Sequence, residues 1–68
     1  MARLVYNVQA SNGMWLKKVS YSMEMFELTQ NRAEAKKFKS FDSACIDVDF
    51  CTTVSVKNGM GLYFSIME

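Results

Sequence analysis

This sequence predicts a small α+β domain: an antiparallel sheet in the order β-β-β-α-β-β, with one main helix packed on one face. Three observations carry the prediction: period-2 alternation up to an Asn12-Gly13 pair, a helix-start signal at Ser40, and a β-branched, glycine-punctuated end from Thr52. Sixty-eight residues suit a single domain over 1–68, near the size at which one core supplies only about 3–5 kcal/mol of net stability. Half of the residues are hydrophobic and 22% are charged, so the chain can bury enough apolar surface to fold rather than stay disordered.

Leu4, Tyr6, Val8 and Ala10 alternate with Val5, Asn7, Gln9 and Ser11, which predicts a first strand over 3–10 with one buried face. Asn12-Gly13 is the favoured pair for a two-residue type I′ turn, in which both central residues take positive φ. Such a turn sets Ala10 opposite Trp15, Val8 opposite Lys17, Tyr6 opposite Val19 and Leu4 opposite Tyr21, gathering the apolar residues on one face. A register shifted by one would match Val8 with Leu16 and drop Trp15, Val19 and Tyr21 from that face, so the first is preferred. It leaves Lys17 among Tyr6, Val8 and Val19, either laying its stem over apolar surface with the ammonium at the edge or serving a function there. Phe26 and Leu28 around Glu27 predict a short third strand within 22–29, paired to the second. Met23 and Met25, with Met14, Met60 and Met67, read as filler for an irregular core rather than as a partner surface.

Asn31 with Glu34 three residues later forms a capping-box pattern, and the helix formers over 32–37 predict one or two helical turns. Ser40 is a second N-cap, with Asp42 in the first turn where negative charge suits the helix dipole. Phe41, Ala44, Cys45, Val48 and Thr52 then share one helical face. Ile46, Val48, Phe50, Thr52 and Val54 also alternate with Asp47, Asp49, Cys51 and Thr53, the pattern of a strand. A helix over 41–49 followed by a strand over 52–57, where β-branched residues gather, reconciles the two. Asn58-Gly59 resembles another hairpin turn, but a three-residue loop of Gly59, Met60 and Gly61 pairs Val56 with Phe64 and Val54 with Ile66 on one face. A bulged hairpin closing on a last strand over 62–67 follows.

The run Ala35-Lys36-Lys37-Phe38-Lys39-Ser40-Phe41-Asp42-Ser43-Ala44 fits Ala-x-x-Phe-x-Ser/Thr-x-x-x-Ala leading into a helix. Trp15-Leu16-Lys17-Lys18 and Phe26-Glu27-Leu28-Thr29 precede it. With these the chain resembles a loose group of short proteins common in phages and prophages of Gram-positive bacteria. That group is largely of unknown function, and the resemblance implies a protein that binds a host or phage protein in the host cytoplasm, as an inhibitor or modulator acting by occupancy. It carries over no site residues, and the segment from Asn58 goes beyond the usual pattern. Physically the motif is packing: Phe38 and Ala44 wedge the helix onto the sheet while Ser40 caps it.

The chain has no histidine, and Cys45 and Cys51 are its only thiols. Six residues apart on a helix, they lie on different faces about 9 Å apart along the axis, so they read as buried thiols and no metal site is predicted. Asp47 and Asp49 diverge on a helix, and the three glycines belong to turns rather than to a phosphate cradle. No catalytic residue and no cofactor are therefore predicted, and the chain is not expected to be an enzyme. With no run of about 18 apolar residues and no signal region, no membrane association is predicted and the expected compartment is the cytosol.

Eight basic and seven acidic residues give no global steering toward nucleic acid or anionic lipid. The first expectation is a protein-binding module. Its interface candidates are Val5, Met14 and Leu16, on the outer face of the first hairpin, and a homodimer is one form it could take. The alternative is nucleic-acid binding through Lys17, Lys18, Arg32, Lys36, Lys37 and Lys39, with Trp15 or Tyr21 stacking a base. Asp42, Asp47 and Asp49, directly after the basic block, count against that alternative.

Overall fold

The computed structural model describes residues 5–68; the predicted pairings of Leu4 lie outside them. Four strands, β1 (Asn7–Ala10), β2 (Trp15–Ser20), β3 (Met25–Thr29) and β4 (Phe64–Met67), accompany a 3-10 turn (Arg32–Glu34) and one helix, α1 (Phe41–Lys57). The strands form a single antiparallel sheet in the order β3-β2-β1-β4, and α1 connects one edge to the other across one face. The α+β class stands, with four strands instead of five.

The first turn sets the register. The Ala10 N–H donates to the Met14 carbonyl at 2.8 Å and the Gly13 N–H to the Ala10 carbonyl at 3.0 Å, enclosing a loop of Ser11, Asn12 and Gly13. Gly13 takes a φ of 88° while Asn12 stays out of the positive region, so this is the three-residue bulged turn and not type I′. The added residue shifts the pairing so that Gln9 faces Trp15. Val8 then lies beside Leu16, the register set aside above, and both side chains are 0% exposed.

A bulge further along β2 removes the objection to that register. β2 and β3 pair Leu16 with Leu28 and then Lys18 with Glu27, leaving Lys17 as the extra residue. The insertion reverses the alternation, so Leu16 and Val19 both face the core. Lys17 leaves the apolar face altogether, and its ammonium lies 3.4 Å from Glu34.

Beyond the bulge β2 parts from β1, and residues 36–38 fill the split. The Lys36 N–H donates to the Leu16 carbonyl at 2.8 Å on one side, and Tyr6 and Phe38 exchange N–H···O bonds of 2.9 Å on the other. Asn7, buried, donates from Nδ2 to the Lys36 carbonyl at 3.0 Å and so satisfies the polar groups at the join. The sheet also curls. Strands about 4.8 Å apart would hold the edges of a flat four-stranded sheet about 14 Å apart. The rings of Phe26 on β3 and Phe64 on β4 nevertheless meet edge to face at 5.3 Å. Both edges therefore share one core with Val8, Ala10, Leu16, Phe38, Ala44 and Cys51.

Asn31 caps the 3-10 turn by accepting from the Ala33 N–H, and donates from Nδ2 to Glu34 at 3.2 Å, but the helix stops after that single turn. Ser40 begins α1 as predicted, its Oγ accepting from the Ser43 N–H at 3.2 Å. The predicted strand over 52–57 is absent because α1 runs through it. Ala44, Asp47, Cys51, Val54 and Ser55 form its buried stripe, so burial of one helical face outweighs the β preference of Thr52, Thr53, Val54 and Val56. Phe41 lies outside that stripe, exposed and packed edge to face on Tyr6. Asn58-Gly59 is the helix stop rather than a hairpin turn. The Met60 N–H donates to the Ser55 carbonyl at 2.8 Å and the Gly59 N–H to the Val56 carbonyl at 3.1 Å, a Schellman arrangement that requires the left-handed φ of 68° at Gly59. The last strand shortens to β4, which pairs with β1, Val8 facing Ile66 and Ala10 facing Phe64.

Candidate functional site

α1 carries a carboxylate in its buried stripe. Asp47 falls three residues after Ala44 and four before Cys51, and its side chain is 2% exposed. Lys36 Nζ donates to Oδ2 at 2.9 Å and the Tyr21 hydroxyl donates to Oδ1. Tyr21 comes from the turn after β2, Lys36 from the segment in the split and Asp47 from the helix, so this polar knot ties three parts of the chain together. The hydrogen bond to Asp47, then burial and the carboxylate's charge, push the Tyr21 phenol up to about 12. Burial, then the charge of Asp47, pushes the Cys51 thiol up to about 12. Both stay protonated at neutral pH, the opposite of what a nucleophile or general base requires. The acidic block of the sequence reading is thus divided, with Asp47 inside. Its 3-4 spacing between Ala44 and Cys51 was the available signal.

The predicted basic strip is divided as well. Lys17 lies against Glu34 and Lys36 against Asp47. Arg32 lies 4.5 Å over the Trp15 ring, donates from Nε to Asn7 Oδ1 at 3.1 Å and donates from Nη2 to the Glu68 carbonyl. Its guanidinium covers a face of Trp15 on which a base would stack. Lys18, Lys37 and Lys39 are without an ion pair among the described residues, with Lys18 on the outer face of the sheet and the other two just ahead of α1.

The predicted outer-face trio is not a surface. Leu16 is a core residue, Met14 is half-buried and Val5 is partly exposed ahead of β1. Exposed apolar side chains lie elsewhere, Tyr63, Val56 and Ile46 among them, and three of the methionines read as core filler join them: Met23, Met25 and Met60 are 67, 54 and 53% exposed. They border two grooves that flank β3. One, of about 400 Å³, lies between β3 and the end of α1, against Met23, Phe26, Val54 and Met60, with the Glu24–Lys57 ion pair of 2.7 Å at its rim. The other, of about 330 Å³, lies on the outer face against Lys18, Ser20, Met25 and Glu27. Both are at the low end for ligand pockets and suit side chains better than a cofactor. The tight turn ahead of β3, with Glu24 at a φ of 51°, presents Met23, and the helix stop presents Met60.

Among the described residues no helix is long and apolar enough to cross a membrane, and no group of three or more His, Cys, Asp or Glu side chains is placed to hold a metal ion. Compared with protein-family models, curated proteins and solved structures, the chain matches none of them.

Proposed function

We propose that the chain is a non-enzymatic protein-binding module that blocks a partner by occupying its surface, and that it does so through the methionine-bordered flanks of β3. The observation that carries this reading is that three exposed methionines, Met23, Met25 and Met60, border two grooves flanking one edge strand of the sheet. Unbranched, polarizable methionine suits an adaptable contact surface. The likeness to short phage-encoded proteins points the same way, toward a host protein as the one occupied. Nucleic-acid binding loses support because half of its six basic residues are held by Glu34, Asp47, Asn7 and Trp15.

The test compares the wild type with a Met25→Asp/Met60→Asp double variant as bait in an extract of the source cell. Both positions are exposed, so the variant should melt within a few degrees of wild type. A protein retained by the wild type at high salt and lost by the variant is the expected result. Retention by both, or release of the bound material by salt or nuclease, would overturn the reading.

A further inference from the structure

We infer that the β3 edge accepts an extended segment of a partner protein as an added strand, and that this segment carries an apolar-basic-apolar triplet whose basic residue lies opposite Glu27. The inference rests on the binding reading above and names the chemistry of what binds. β3 ends the sheet, and among the described residues no backbone group of Met25–Thr29 bonds to anything but β2. Unpaired N–H and C=O groups along an edge are a template for another strand.

β4 is also an edge, but both grooves described above flank β3. A strand laid on β3 sends alternate side chains to opposite faces. On the inner face one of them would enter the groove beside Phe26, with Val54 and Met60 as its floor, and the next would lie against Leu28. The residue between them would stand on the outer face, directly across from Glu27. Glu27 is exposed and faces Lys18 of β2 without forming an ion pair with it among the described residues, whereas Glu24 nearby is engaged by Lys57. Opposite charges across neighbouring strands attract, which selects lysine or arginine at that position. A second copy is disfavoured on the same ground: full antiparallel overlap of two β3 strands would set Glu27 against Glu27.

The test uses the full chain, isotope-labelled, with a short acetylated and amidated peptide that alternates valine and threonine around one central lysine flanked by valines. The expected result is amide shifts centred on β3 and slowed hydrogen exchange at its outward amides. Glu27→Gln should weaken binding about fivefold, and Glu27→Lys should restore it for the matching peptide with glutamate at the centre. Methylating alternate peptide amides should abolish binding.

Shifts centred elsewhere, binding that survives methylation, or no binding at millimolar peptide would each overturn strand addition. None of these touches the broader reading, which stands or falls on the salt-resistant capture lost in the Met25→Asp/Met60→Asp variant. A dimer joined through β3 in sedimentation would overturn the choice of occupant.

Discussion

Replacing Asp47 with leucine should disturb this fold less than replacing its partner Lys36 with methionine, although Asp47 is the buried member of the pair. At an effective dielectric of about 20, unit charges 2.9 Å apart attract by about 6 kcal/mol gross. Holding a carboxylate inside the protein opposes this with several kcal/mol of lost hydration, so the net worth of the pair is small. Lys36→Met strands the buried anion with only the Tyr21 hydroxyl. The cost is about 2–3 kcal/mol, below the full range for a broken buried pair because the Lys36 side chain is 37% exposed and already screened by water. Asp47→Leu instead removes the group that had to be dehydrated, extends the apolar stripe from Ala44 to Cys51, and frees Lys36 and Tyr21 toward solvent. Its net change should stay within about 1 kcal/mol, and the double variant should resemble it rather than Lys36→Met. Urea unfolding at pH 7, followed by Trp15 fluorescence and helical circular dichroism, measures all three. If Asp47→Leu loses as much as Lys36→Met, the carboxylate stabilises the fold outright and the reasoning fails.

Alkaline stability follows from the two raised groups. The Cys51 thiol, ordinarily at 9.0, and the Tyr21 phenol, ordinarily at 10.0, both stand near 12 in the folded chain. The unfolded chain releases these protons first, so stability is intact below about pH 9 and is lost as pH rises toward about 12. Fully buried Cys51 should contribute a slope approaching about 1.4 kcal/mol per pH unit in that window. Cys51→Val should flatten the alkaline limb of a urea-midpoint series against pH, and an unchanged limb would remove the thiol from the explanation. Leu16→Ala should cost about 3 kcal/mol in thermal or urea unfolding, against about 0.5 kcal/mol for Val5→Ala, and near-equal losses would return Leu16 to the surface.

Residues with one strong local preference were legible from sequence: the Ser40 cap, the Asn31 cap, the pairing of Phe26 and Leu28 on β3, and Phe38 with Ala44 in the core. The errors came where two local rules were of similar strength. Asn12-Gly13 suits type I′, yet with Gly13 alone left-handed it also suits a bulged loop, and the choice between them moves every β1–β2 pair. The Lys17 bulge is invisible to a fixed alternation, and without it the correct register appears to waste Val19. Over 52–57 β-branched residues favour a strand, but the stripe through Cys51, Val54 and Ser55 is completed only by a sheet assembled elsewhere in the chain. The methionine surface was misjudged because composition supplies no exposure, and Met60 meets the β3 end only through the helix stop.

The segment at 36–38 ties together parts of the sheet that are far apart in the sequence. β2 and β3 join through near neighbours and can close as soon as both exist, whereas Asn7 meets Lys36 across 29 residues of intervening chain. β1 pairs locally with β2 next to the first turn, and only the stretch at Tyr6 and Asn7 depends on chain that follows β3. That segment binds both sides of the opening, so neither half of the sheet can swing away while it is seated. Amide protons of Tyr6, Lys36 and Phe38 should exchange with solvent as one cooperative unit, because each opening must release all three together.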